Sequence, residues 1–164
     1  MGELGSAHRL SATVRWGKAA VPATLAVAGS TNAFQTPDGL LATVDEFIRL
    51  EMFQPAEKTL NDLAPQIPGD DTRHVRRLER LGTAQRRQGK IAEARNSYTE
   101  ALTLAIRLGM RDRWSAEAYA GMGYCLQAQG NTDLAAKFFA KALEAGATPE
   151  TAKAVEAELK KLKE

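Results

Sequence analysis

The sequence predicts an all-α fold: a short right-handed α-solenoid of helix-turn-helix repeats with a C-terminal capping helix. The first observation is self-similarity at a spacing of 41 residues, which is typical of stacked helical repeats. The second is a composition that is 44% hydrophobic but only 6% aromatic, which suits closely packed helices better than a sheet. The matching positions are Leu78, Leu81, Gly82, Gly89, Ala94, Tyr98, Ala101 and Leu102, which align with Tyr119, Met122, Gly123, Gly130, Ala135, Phe139, Ala142 and Leu143.

Residues 1–36 differ in composition from the rest of the chain. No acidic residue lies between Glu3 and Asp38, and the apolar run Ala19–Ala28 is interrupted by Pro22. This run is too short to span a bilayer, which needs about 20 residues, and no transmembrane helix is expected. Basic residues before a short apolar run are typical of a signal peptide, and an acid-poor, Ser-rich stretch is equally typical of a transit peptide. We therefore expect a targeting segment or extended arm that leads to an organelle (plastid or mitochondrion) or an exported compartment, with a disordered tail as the alternative.

The helical domain is predicted to span residues 37–164 and to begin with a degenerate repeat over 37–70. Pro37 and Asp38 open a helix with apolar residues at helical spacing, and Pro55 stands at the start of a second helix. Ala56 takes the small position of that second helix. The turn glycines of the later repeats are missing here.

Two complete repeats follow, over residues 71–109 and 113–147. In the first, Asp71 and Thr72 can cap a helix, and Gly89 supplies the left-handed residue that ends it. Apolar residues then recur at helical spacing as far as Gly109. We expect the small residues to let antiparallel backbones approach and Tyr98 to fill the gap to the next helix.

Residues 148–164 are predicted to form the capping helix. Thr148 is a suitable N-cap and Pro149 a suitable first helical residue. One face of this segment is apolar and the other is charged, which is what a terminal helix of a solenoid requires.

The repeated spacing of these residue types resembles the sequence pattern of the tetratricopeptide repeat family. The family pattern of a large residue, Leu-Gly, a turn Gly, then Ala, an aromatic residue and Ala is matched by Leu78, Leu81-Gly82, Gly89, Ala94, Tyr98 and Ala101. Two features depart from it: Gln85 and Leu126 replace the aromatic residue of the first helix, and the period is 41 rather than 34. The longer period resembles the branch with repeats of about 40 residues.

The sequence contains no pattern that is typical of an enzyme. No nucleophile motif, phosphate-binding glycine loop or metal-ligand pattern is present, so we expect no enzyme, no cofactor, no metal site and no small-molecule substrate. Cys125 is expected in the core and His74 on the surface. The adjacent pairs Asp45-Glu46 and Asp70-Asp71 are expected on the surface, with Asp70-Asp71 as an alternative helix cap.

The resemblance implies a concave groove lined by the first helix of each repeat, which in this family binds a segment of a partner protein. Transferred to this chain, the partner-binding residues are Arg76, Glu79, Thr83, Arg86, Arg87, Glu117, Ala120, Tyr124 and Gln127. The Lys and Asn residues with which some members hold a peptide carboxylate are absent. The remaining arginines predict pairing with acidic side chains of a partner; the alternative is that Arg86 and Arg87 only keep the helix soluble.

Charge is distributed unevenly along the chain, which favours an acidic partner. Residues 36–72 carry two basic and eight acidic side chains, whereas residues 73–113 carry eleven basic and four acidic ones. We therefore predict a non-enzymatic scaffold or adaptor that binds an acidic or extended peptide segment. The alternatives are a structural or assembly subunit of an organellar membrane complex and, more distantly, nucleic-acid binding. The basic patch has no interleaved aromatic residues for base stacking, which disfavours nucleic-acid binding.

Overall fold

The computed structural model describes residues 36–162, so the predicted targeting segment lies outside the described residues except for Thr36. The described part contains α-helices and one short 3-10 helix and no strand, which confirms the predicted all-α solenoid. The α-helices are α1 (Pro37–Arg49), α2 (Phe53–Leu63), α3 (Arg73–Arg87), α4 (Ile91–Arg107), α5 (Arg113–Ala128), α6 (Thr132–Glu144) and α7 (Pro149–Lys161), and the 3-10 helix is Ala64–Gln66.

The helices form two layers. Each helix packs against the next one in the chain, and in addition α1 contacts α3, α3 contacts α5, and α5 contacts α7. Helices α1, α3, α5 and α7 therefore form one layer, and α2, α4 and α6 form the other. This is the arrangement expected when each repeat buries its apolar face against its neighbours.

The turns between helices use left-handed backbone, as the repeat pattern predicts. Gly89, Gly109 and Gly130 have φ values of 78°, 66° and 78°, in the region that glycine adopts without a Cβ clash. The first repeat lacks a glycine here, and Glu51 adopts a φ of 57° instead. This turn therefore has the same left-handed geometry, but Glu51 is strained there because it has a Cβ.

Aromatic rings fill the seams between helices where glycine removes the side chain. A Cβ on Gly121 would lie 2.3 Å from Tyr98 Cζ, and one on Gly82 would lie 2.7 Å from Tyr98 Cε1. A Cβ on Gly123 would lie 2.5 Å from Phe139 Cε1. Tyr98 of α4 therefore passes between α3 and α5, which confirms its expected position.

The buried apolar residues form two clusters, and α3 contributes residues to both. One part lies between α1, α2 and α3, and the other extends from α3 to α7. The buried residues of the first part are Leu41, Val44, Ala56, Leu60, Leu63, Ile67, Leu81 and Ala84. The larger part includes Val75, Leu78, Ala94, Tyr98, Leu102, Met122, Cys125, Phe139 and Val155.

Three expectations need correction. Helix α2 begins at Phe53, so Pro55 is its third residue, still within the first turn, where the N–H that proline lacks would have had no partner within the helix. His74 is half-buried rather than on the surface, with Nε2 2.9 Å from the Ile67 carbonyl oxygen and Nδ1 accepting from Arg77 Nε. Asp45 is also half-buried and pairs with two arginines of α3.

Candidate functional site

A groove of about 440 Å³ lies between α3, α5 and the start of α7. Six of the nine predicted partner-binding residues line it: Glu79, Thr83, Arg86, Glu117, Ala120 and Tyr124. The other lining residues are Arg80, Tyr98, Arg113, Gly121, Thr148, Glu150, Thr151 and Ala154. The structure thus brings together side chains from both complete repeats and from the capping helix.

The three remaining predicted residues lie outside this groove. Arg76 turns towards α1, where its Nη2 donates to Asp45 Oδ2 at 2.6 Å. Gln127 Nε2 donates to Glu158 Oε2 of α7 at 2.9 Å. Arg87 is exposed at the end of α3.

Tyr98 carries its hydroxyl from the outer helix layer to the floor of the groove. The hydroxyl lies 3.0 Å from Thr83 Oγ1, and Thr83 Oγ1 donates to Glu79 Oε1 at 2.8 Å. Because the Thr83 proton points to Glu79, Tyr98 must donate to Thr83. Burial raises the pKa of Tyr98, so its hydroxyl stays a donor at neutral pH.

Arg80 joins three carboxyl groups from three helices. Its Nε donates to Asp45 Oδ1 at 2.6 Å, and its Nη1 donates to Glu117 Oε2 at 2.9 Å. Nη1 also lies 3.1 Å from Glu79 Oε2. Burial alone would lower the pKa of Arg80, but the neighbouring carboxylates outweigh it and raise the pKa, so Arg80 stays charged.

Sequence reasoning missed Arg80 because the family pattern does not include this position in the groove. Helical spacing was the available signal. Arg80 follows Arg76 by four residues and precedes Thr83 by three, which places all three side chains on one face of α3.

Trp114 lies against three guanidinium groups. The Cζ atoms of Arg76, Arg80 and Arg113 are 4.8, 4.7 and 4.2 Å from the ring centroid. Such cation–π contacts favour a fixed position for each arginine. Trp114 therefore connects α3 and α5.

Glu79 is the most deeply buried ionisable group of the groove. Its side chain is 2% exposed, and no hydrogen bond reaches Oε2 from the described residues. Burial is the main cause that raises the pKa of Glu79, from 4.5 to about 7; the nearby Arg80 opposes the rise, and Glu117 and Asp45 support it. Near neutral pH, Glu79 is therefore protonated in some molecules and ionised in others.

Two groove arginines lack a close ion pair with a described residue. Arg86 forms no ion pair there, its guanidinium interacts with the Tyr98 hydroxyl, its Nε is buried without a hydrogen-bond partner, and its Cζ lies 4.9 Å from the Tyr124 ring centroid. Arg113 is about half exposed, and its nearest carboxylate oxygen, of Glu117, is 3.7 Å away. These guanidinium groups stand on α3 and α5, on two walls of the groove.

Cys125 is buried, and burial raises its pKa, so it is held as a thiol rather than a nucleophilic thiolate. Over residues 36–162, no group of three His, Cys, Asp or Glu side chains is placed to hold a metal ion. Within the same residues, every helix is too short or too polar to cross a membrane.

Comparison with known proteins identifies the repeats. The tetratricopeptide repeat model matches residues 75–146, which contain α3 to α6 apart from the first two residues of α3. The crystal structure of the tetratricopeptide repeat domain of Arabidopsis FLU is similar, with a TM-score of 0.58 and 24% sequence identity. That match covers 66% of this chain and 92% of the FLU domain.

No curated protein matches the chain in sequence. The structural likeness therefore supports the fold, and the sequence match supports the family of the repeats. Proteins with this fold are typically non-catalytic scaffolds for protein–protein interaction. Residues 75–146 thus match the tetratricopeptide repeat model, within an α-solenoid that α1, α2 and α7 extend at its two ends.

Proposed function

We propose that this protein is a non-enzymatic adaptor that holds an extended, acidic segment of a partner protein in the groove between α3, α5 and α7. The observation that carries the proposal is the pair Arg86 and Arg113, which face the groove from two helices: Arg86 forms no ion pair with a described residue, and Arg113 lies 3.7 Å from the Glu117 carboxylate. A partner carboxylate between them would form charge-assisted, bidentate hydrogen bonds. Arg87 extends the basic edge beyond the groove.

The structure changes which arginines are assigned to the partner. Arg76 and Arg80 already bind Asp45, and Arg80 also binds Glu117. Their role in the proposed function is to hold α1, α3 and α5 in place, which preforms the groove. A preformed groove lowers the ordering cost of binding on the side of the adaptor.

The proposal is tested with a panel of labelled ten-residue peptides that contain Glu or Asp, each matched by its Gln or Asn counterpart. Fluorescence anisotropy gives the Kd for the wild-type protein and for Arg86→Glu and Arg113→Glu. Loss of a hydrogen bond to a charged group costs about 1.5–3 kcal/mol, so each substitution is expected to weaken binding at least about tenfold.

Arg111→Glu is the matched control, because Arg111 is exposed and does not line the groove. It changes the net charge equally and is expected to leave the Kd within about twofold of the wild-type value. Equal losses of affinity in all three variants would show that net charge alone explains the effect. An unchanged Kd in Arg86→Glu and Arg113→Glu would show that the peptide does not bind at these groove arginines.

We also propose that residues 1–36 direct the protein to an organelle or an exported compartment. The support is their composition alone, with an acid-poor stretch and a short apolar run. Fusion of residues 1–36 to a fluorescent protein, together with N-terminal sequencing of the mature protein, tests this. Diffuse fluorescence and an intact N-terminus would contradict it.

A further inference from the structure

A connected set of carboxyl and guanidinium groups lies at and behind the floor of the groove. Asp45, Glu79 and Glu117 surround Arg76 and Arg80 through hydrogen bonds and close ion pairs. With all three carboxyl groups ionised, these five groups have a charge of −1, and Arg113 lies 3.7 Å from Glu117 at their edge. With one proton bound, the five groups are neutral.

Hydrogen bonding indicates which carboxyl group holds that proton. Asp45 accepts from Arg76 on one oxygen and from Arg80 on the other, both at 2.6 Å. Glu117 accepts from Arg80 at 2.9 Å and faces Arg113. Glu79 accepts only from Thr83, and its Oε2 has no hydrogen-bond partner among the described residues.

We propose that Glu79 determines the partner charge that the groove accepts: it is protonated when an acidic segment is bound and ionised when the groove is empty in mildly alkaline solution. The inference rests on the proposed function. Glu79 and Arg86 lie two helical turns apart on α3, and both line the groove. A carboxylate that binds at Arg86 therefore meets a neutral floor when Glu79 holds a proton and a negative floor when it does not.

The surroundings of Glu79 are consistent with a single titrating group at this floor. Asp45 faces it from α1, Arg80 and Thr83 from α3, the Tyr98 hydroxyl from α4, and Glu117 from α5. Across the groove, Glu150 and Thr151 belong to α7. Burial, helped by the two carboxylates and opposed by Arg80, brings the pKa of Glu79 to about 7, so partner binding near neutral pH is expected to take up a proton.

His74 does not line the groove. It lines a separate cavity between α3 and α4, and its ring contacts Arg77 and the Ile67 carbonyl group.

The experiment measures the Kd of a Glu-containing peptide from the panel above between pH 6 and pH 8 for the full chain and for Glu79→Gln. A group with a pKa of about 7 changes from about nine-tenths to one-tenth protonated over this range, so the wild-type Kd is expected to rise up to about tenfold. Glu79→Gln keeps an oxygen that accepts from Thr83 and is expected to bind at every pH as the wild type does at pH 6.

Two further measurements make the result specific. Calorimetry in buffers of different ionisation enthalpy is expected to show uptake of part of a proton per peptide at pH 7 in the wild type and none in Glu79→Gln. Glu150→Gln, which removes an exposed carboxylate from the facing wall, is expected to strengthen binding without a change in its pH dependence. If Glu79→Gln does not fold, the carboxyl carbon signal of Glu79 in the wild type, followed by NMR with and without peptide, gives the same answer.

The outcomes separate this inference from the proposed function. Binding that depends on Arg86 but is equally tight at pH 6 and pH 8, or that keeps its pH dependence in Glu79→Gln, overturns the inference alone. An unchanged Glu79 signal on peptide addition does the same. Failure of every acidic peptide to bind at pH 6 overturns both.

Discussion

At the scale of single residues, side-chain volume decides how closely the helices of this solenoid approach. Tyr98 fits between α3 and α5 only because positions 82 and 121 are glycines. Gly82 belongs to the repeated pattern, but Gly121 does not, since Arg80 stands 41 residues before it. The ring nevertheless needs both, because it touches both inner helices.

We predict that Gly121→Ala destabilises the protein by about 1–3 kcal/mol or more, because the new Cβ would overlap the Tyr98 ring. Urea unfolding followed by circular dichroism measures the change. Gly69→Ala is the control, since a Cβ there meets no atom within 4 Å, and it is expected to be nearly neutral. Equal stability of the two variants would contradict the close fit of Tyr98.

Glu79 links residue chemistry to the pH dependence of stability. Its pKa is about 7 in the folded protein, above the ordinary value of 4.5, so the stabilising effect of its protonated form is complete below about pH 4.5 and is lost as the pH rises to about 7. We predict that Glu79→Gln is more stable than the wild type at pH 8, by roughly 1–3 kcal/mol.

Urea unfolding at pH 5 and pH 8 tests this prediction. The difference between Glu79→Gln and the wild type is expected to be several times smaller at pH 5, because Glu79 is then neutral in the folded protein and only partly ionised in the unfolded chain, so no buried charge has to be removed. If the stability of Glu79→Gln differed from that of the wild type equally at the two pH values, the difference would come from packing and not from the charge of Glu79.

At the scale of helices, the starts of the elements are stabilised unequally. Asp112 caps α5 through hydrogen bonds from the Trp114 and Ser115 N–H groups, and Ser115 Oγ accepts from the Asp112 N–H in return. Asn131 occupies the equivalent position before α6 without a side-chain hydrogen bond. Helix α5 carries five of the groove-lining residues named above, so its cap also stabilises one wall of the groove.

We predict that Asp112→Ala lowers the free energy of unfolding by about 0.5–2 kcal/mol, because two N–H groups of α5 lose their acceptor. Thermal and urea unfolding measure the loss. Asn131→Ala is expected to change stability by much less, since no cap hydrogen bond is removed. A similar cost for both substitutions would mean that residue preference, and not the observed cap, sets the stability of these helix starts.

At the scale of the whole described domain, stability is expected to be distributed along the solenoid rather than held in one centre. The interior of α1 and α2 is smaller than the interior that extends from α3 to α7. Each repeat of such a protein is stabilised mainly by its direct neighbours, so a local defect spreads little. Helix α3 contributes to both interiors and connects them.

We predict that hydrogen exchange in Leu60→Ala becomes faster in α1 and α2 and stays close to wild type in α5 and α6. Leu60 is fully buried in the smaller interior, and loss of a buried Leu side chain typically costs about 2–5 kcal/mol. Mass spectrometry of exchanged peptides locates the effect. Val155→Ala, in the larger interior, is expected to act on α6 and α7 instead, and uniform acceleration in both variants would contradict local stability.

The amino-acid pattern alone determined the helices, their order and their pairing. Glycines at Gly89 and Gly130, and the repeated apolar positions around Tyr98 and Phe139, predict elements that the structure confirms. These features are local, because backbone preference and the helical period act within about ten residues. Six of the nine candidate partner-binding residues, which the family resemblance supplied, line the groove between α3, α5 and α7.

Only the tertiary structure decided which of the groove charges are already paired. The pairing of Arg76 and Arg80 with Asp45 spans more than thirty residues of sequence, and α1 lacks the glycine pattern that would have aligned it with the later repeats. The raised pKa of Glu79 likewise comes from burial and from carboxylates on two other helices. Electrostatic energy depends on distances and burial in three dimensions, and neither is encoded by spacing along the chain.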